Sequence, residues 1–166
     1  MHVNFMHFWM NFLALLHFAR VIEQTIHRAY VPLIFLVSGL CGSLFSLVLY
    51  PHTTSVGASG GLMGLLGFIT MDAYFDRTKY PPKYLRNLIE AIVFVGIFGL
   101  VGFAFIDNAA HFGGLCGGLL LGWALLRGSD KPFGNEKFEK RVAFLGVMAL
   151  VVLGLGAVAA VWQMVR

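Results

Sequence analysis

Gly57-Ala58-Ser59-Gly60-Gly61-Leu62-Met63-Gly64-Leu65-Leu66-Gly67 opens one apolar run, and Asn108-Ala109-Ala110-His111-Phe112-Gly113-Gly114-Leu115-Cys116-Gly117-Gly118 opens another. In the first, the glycines at 60, 64 and 67 recur every three or four residues, so a helix gathers them on one flat face. In the second, Gly114, Gly118 and Gly122 repeat every four residues with Gly113 and Gly117 alongside, a longer ridge of the same kind. Such glycine density weakens a helix in water. In a bilayer, where lipid tails are as apolar as leucine, small residues are what lets two helix backbones approach. The two stretches therefore predict a bundle in which the glycine face of one span meets the glycine ridge of another.

The rest of the chain agrees. Of its 166 residues, 58% are hydrophobic and 12% charged, with a mean hydropathy of +0.80. That leaves too little polar surface to coat a water-soluble globule. A hydrocarbon layer about 30 Å thick takes roughly 20 helical residues per crossing. Apolar runs near that length recur at Phe5–Ile22, Val31–Tyr50, Gly57–Tyr74, Asn87–Ile106, Ala109–Leu126 and Val142–Val165. They are continuous rather than alternating, which predicts an all-α polytopic transmembrane bundle of six spans and not a strand barrel. No cleavable signal peptide is evident. Cys41 and Cys116 lie inside spans without paired spacing, so they are expected to be reduced packing residues.

A net charge of +4 raises nucleic acid as a partner, but the placement of the charge argues against it. If successive loops alternate sides, Arg20, Arg28, Arg77, Lys79, Lys83, Arg86, Arg127, Lys131, Lys137, Lys140 and Arg141 share one side, leaving Arg166 on the other. Cations collect on cytoplasmic loops, so that side is expected to face the cytoplasm. The first span then runs inward from an outer start, which leads to the expectation of a further helix upstream of residue 1.

Few polar residues interrupt the spans. His7 and Asn11 are four apart and share a helix face, where each can donate to a developing negative charge or simply meet headgroups and water. Ser59 sits where backbone N–H groups lack intrahelical partners, a place that suits either an oxyanion or a plain helix N-cap. His111 lies one turn above its glycine ridge, so joining the two glycine faces would bring it to Ser59. An ionisable residue within a span is a functional candidate, with a histidine bonded to a backbone carbonyl as the plainer alternative. His52 reads as a solvated loop residue, Glu23, sitting among Arg20 and Arg28, as a structural residue, and the last span carries no polar group suited to catalysis.

Taken together these residues resemble the rhomboid family of intramembrane serine proteases over roughly residues 2–127. The likeness lies in the order of its parts: a His-x-x-x-Asn helix (His7, Asn11) with Glu23 at its far end, a Gly-x-Ser-Gly box (Gly57, Ser59, Gly60), and Asn-x-Ala-His followed by Gly-x-x-x-Gly (Asn108, Ala110, His111, Gly114, Gly118). The resemblance implies a Ser59 nucleophile with His111 as its base, and an oxyanion hole lined by His7, Asn11 and the Ser59 N–H. Gly57, Gly60, Gly64, Gly114 and Gly118 would pack the helices near the site. It implies a protease core at 1–127, a cytoplasmic linker at 128–141 and an additional C-terminal helix at 142–166. The expected partners are transmembrane protein substrates within the lipid bilayer, and no cofactor or metal is implied. The expected location is the plasma membrane of a prokaryote. One departure stands out. The family commonly has an aromatic residue one turn after the serine, stacked on the histidine, and here that position is Met63.

A second reading, from a different class, is a silent rhomboid-like protein that captures transmembrane helices without cutting them. A small transporter ranks third because charges deep in the spans are scarce. Zinc hydrolysis lacks any His-Glu-x-x-His spacing.

Overall fold

The computed structural model describes residues 5–51, 58–101, 106–127 and 136–165. These form six α-helices: α1 (Phe5–Thr25), α2 (Tyr30–Leu49), α3 (Ser59–Phe75), α4 (Tyr84–Val101), α5 (Asn108–Leu126) and α6 (Glu136–Val165). A 3-10 turn, Arg77–Lys79, follows α3, and no strand occurs among the described residues. The all-α bundle expected from the apolar runs is therefore what forms. Gly57, His52 and residues 128–135 of the expected linker lie outside the described residues.

Five of the helices are long and apolar enough to cross a membrane, and α3 is the exception. At 17 residues it spans only about 26 Å, short of a hydrocarbon layer of about 30 Å. The sixth expected crossing is thus a short rod, and it can be short because neighbouring helices surround it. Nearly all of its residues from Gly60 to Ala73 are buried, whereas α4 and α6 keep large apolar side chains such as Phe94, Leu100, Leu155 and Val158 on the outside. The chain is an integral multi-pass membrane protein whose core is built on α3.

Glycine sets how closely the core helices approach. A Cβ on Gly114 would fall on the carbonyl oxygen of Gly60, and one on Gly118 on that of Gly64. A Cβ on Gly122 would come within 2.6 Å of Met71 Cβ. These pairs rise together in number, so α3 and α5 run parallel in backbone contact. The third helix of the cluster, α2, runs the other way: its Phe45, Cys41 and Ser38 meet Gly113, Gly117 and Gly64. Cys41 and Cys116 are free thiols, and Cys41 packs on Gly117.

At the far end of α3 a polar cluster replaces the glycines. Asp72 is 1% exposed, and it accepts hydrogen bonds from Lys79 Nζ at 2.8 Å and from the Tyr80 hydroxyl at 2.6 Å. A buried carboxylate is tolerable only when paired in this way. The Tyr80 oxygen also lies 3.3 Å from Thr25 Oγ1, tying the end of α1 to the loop. Burial and the adjoining Asp72 carboxylate push the Tyr80 phenol well above the usual tyrosine range, so it remains a donor. At the start of α6 the charged residues expected to lie in the linker are already helical. A Lys140–Glu136 pair at 2.6 Å, one turn apart, is consistent with that.

Candidate active site

Ser59 is the first residue of α3 and is half-buried. The N-cap position belongs to Ala58, which makes no side-chain cap bond. The plainer reading of Ser59 as an N-cap therefore does not hold: among the described residues its hydroxyl is not spent on capping, and no side chain accepts from the first turn of α3.

His111 lies in the first turn of α5, also half-buried. Its backbone N–H donates to Asp107 O at 3.0 Å, which is ordinary helix start geometry. The two helices touch beside these residues, because a Cβ on Gly60 would meet Ala110 O at 3.3 Å. Ser59 and His111 are the immediate neighbours of that contact. Among the described residues their side chains are not hydrogen-bonded to each other. Such bonds are often long in unliganded hydrolases and tighten with substrate.

The face of α1 that carries His7 and Asn11 points inward at this end. Both residues are half-buried, while Phe5, Met6, Trp9 and Met10 are exposed around them. His7 is within electrostatic range of His111. The side-chain N–H₂ of Asn11 is buried without an acceptor among the described residues. A buried amide with nothing to donate to carries a real cost, so it marks a place where an acceptor is wanted.

Sequence reasoning missed what holds the start of α5. The Asp107 carboxylate caps α5, with Oδ1 accepting from Ala110 N at 2.8 Å, and its Oδ2 accepts from the Ser46 hydroxyl on α2. Asn108 Nδ2 donates to Gly99 O at 2.9 Å, tying the same turn to α4. The cap was readable, since an aspartate just before an apolar helix is a start signal. The Ser46 partner, 61 residues away in sequence, was not. Met63 is buried in the core. Glu23 is exposed and forms no ion pair with Arg20 or Arg28 among the described residues.

Comparison with known proteins gives a consistent picture. The family described as Rhomboid domain matches residues 1–128. RHOMBOID-like protein 7 of Arabidopsis thaliana is 36% identical over 127 residues, covering 76% of this chain and 40% of that protein. Inactive rhomboid protein 2 of Homo sapiens is 31% identical over 165 residues, covering 98% and 19%. Rhomboid protease GluP of Bacillus subtilis (strain 168) is 33% identical over 160 residues, covering 94% and 29%. The chain spans less than half the length of these relatives. With matches in Arabidopsis thaliana and Homo sapiens beside the bacterial one, a prokaryotic plasma membrane is not singled out. No solved structure gives a significant match.

Proposed function

The chain belongs to the rhomboid family, and on that premise we propose that it is a serine endopeptidase that cuts transmembrane protein substrates within the bilayer, near its outer face. Ser59 is the nucleophile and His111 the general base. His7, Asn11 and the Ser59 backbone N–H are the donors to the oxyanion. A serine hydroxyl attacks poorly until a positioned base takes its proton. In the first step Ser59 Oγ bonds to the scissile carbonyl carbon as its proton passes to His111. The tetrahedral oxyanion is held by the three donors, each worth about 3–4 kcal/mol in well-studied hydrolases. His111 then returns the proton to the leaving amine, and water cleaves the acyl-enzyme by the same steps.

The observation that supports this most is the glycine seam, with Gly60 against Ala110 and Gly114 against Gly60, flanked by Ser59 on one helix and His111 on the other. The unsatisfied Asn11 amide adds a donor on the helix that also carries His7. Replacing Ser59 with alanine is expected to abolish cleavage of a model single-pass substrate in membranes, and unchanged cleavage would remove Ser59 as nucleophile.

A silent, helix-capturing protein is the second reading. It is favoured by the likeness to Inactive rhomboid protein 2 and by Met63 in the place of the family's aromatic residue. Labelling of Ser59 by a fluorophosphonate probe distinguishes the two, since only an activated serine reacts.

A further inference from the structure

A cavity of about 450 Å³ lies at the other end of α3 from Ser59, between the 3-10 turn and the start of α4. Three cations line it, Arg77, Lys83 and Arg86, together with Tyr80, Tyr84 and Ile89. Arg86 is engaged by Glu90 at 2.7 Å. The side chains of Arg77 and Lys83 make no ion pair or hydrogen bond among the described residues. Two unneutralised cations thus face one hollow.

The hollow is also firmly built. Tyr80 is pinned by Asp72 and Thr25, and Tyr84 stacks on it with ring centroids 4.8 Å apart and planes 9° from parallel. Lys83 follows Pro81-Pro82 and holds a backbone φ of 68°, a left-handed conformation that side-chain-bearing residues rarely adopt. A glycine would sit there without strain, yet a lysine occupies the position. On the membrane side, Ile89 continues the wall down α4, a helix apolar enough to cross a bilayer. Cations at the rim and an exposed isoleucine below match a ligand that is anionic at one end and apolar at the other.

We infer that this cavity is a binding site for the phosphate headgroup of an anionic phospholipid, with Arg77 and Lys83 on the phosphate and Ile89 against the glycerol and upper acyl chain. Free phosphate shares the charge but not the apolar half. The site stands apart from the proposed proteolysis. It lies at the end of the bundle carrying nearly all the cations, where anionic lipids of the cytoplasmic leaflet concentrate.

The test uses the whole chain purified in a zwitterionic detergent, titrated separately with short-chain phosphatidylglycerol, short-chain phosphatidylcholine and inorganic phosphate, with bound lipid read by native mass spectrometry and by the melting temperature. Phosphatidylglycerol is expected to bind and stabilise, and the other two are not. The double variant Arg77→Gln/Lys83→Gln is expected to bind about thirtyfold more weakly, as loss of two juxtamembrane cations implies. The equally charged control Lys140→Gln/Arg141→Gln should bind as the parent does. Lys83→Gly removes one cation while relieving the left-handed backbone, so it should melt no lower than the parent and still bind about fivefold more weakly. Equal binding by Lys83→Gly, equal weakening by the control, or inorganic phosphate matching the lipid would each overturn the assignment.

Discussion

Two side chains at the residue scale carry opposite messages about stability and activity, and each can be tested. Asn11 holds a buried amide with no acceptor among the described residues. If that donor serves an oxyanion, Asn11→Ala should lower the cleavage rate by about 10²–10³-fold. The same change removes an unsatisfied buried group, so thermal unfolding should show no loss of stability. A variant that loses both together would reassign Asn11 to packing. Asp107 is the reverse case, because its carboxylate already accepts from Ala110 N and Ser46 Oγ. Asp107→Ala removes a helix cap worth about 1 kcal/mol and strands a hydroxyl worth about another, so denaturation should report a loss of about 2 kcal/mol. Asp107→Asn, which caps equally well, should stay within about 0.5 kcal/mol of the parent. The candidate residues Ser59, His111, His7 and Asn11 were legible because polar groups are so rare in these spans that each stands out. Ser46 was not, because a serine in an apolar helix looks the same whether it bonds its own backbone or a carboxylate from a distant turn.

At the scale of the helix, glycine decides which elements touch. Spacing alone identified the faces of α3 and α5, since a repeat of four on a helix is geometry that needs no partner to read. What spacing could not supply was the third member: α2 enters the same seam through Ser38, Cys41 and Phe45, residues that form no glycine repeat of their own. The expected run, Gly57–Tyr74, comes close to the length of α3, but only the burial of nearly all its residues shows that it need not reach across the hydrocarbon. Two substitutions weigh the seam against plain helix propensity. Gly118→Ala would set a methyl on the Gly64 carbonyl oxygen, so α3 and α5 must part, and overpacking of this sort costs about 1–3 kcal/mol. Gly154→Ala in α6 meets nothing within 4 Å and should gain a few tenths to about 1 kcal/mol from propensity alone. Thermal melts in detergent should therefore move in opposite directions, and a Gly118→Ala protein as stable as the parent would mean the seam is looser than its backbone contacts imply.

At the scale of the whole molecule, Ser59 and the polar Asp72–Lys79–Tyr80 cluster sit at opposite ends of one short helix, so the two ends of the bundle differ in chemistry. The Ser59 end has half-buried histidines and an unsatisfied amide, whereas the Asp72 end has an ion pair, stacked tyrosines and the cationic cavity. Moving that cationic end across a membrane would cost far more than moving the other, which is the physical content of the bias in Lys and Arg. Charge thus predicts an orientation, and an accessibility experiment checks it without reference to catalysis. Cys41 and Cys116 are replaced by alanine and one cysteine is returned at a time, at Tyr50 or at Gln24, two exposed positions at opposite ends of the bundle. A membrane-impermeant maleimide should label Tyr50→Cys on intact cells and Gln24→Cys only after permeabilisation. The opposite pattern would turn the bundle over, moving Ser59 to the cytoplasmic side and the cationic cavity away from the leaflet whose lipids would fill it.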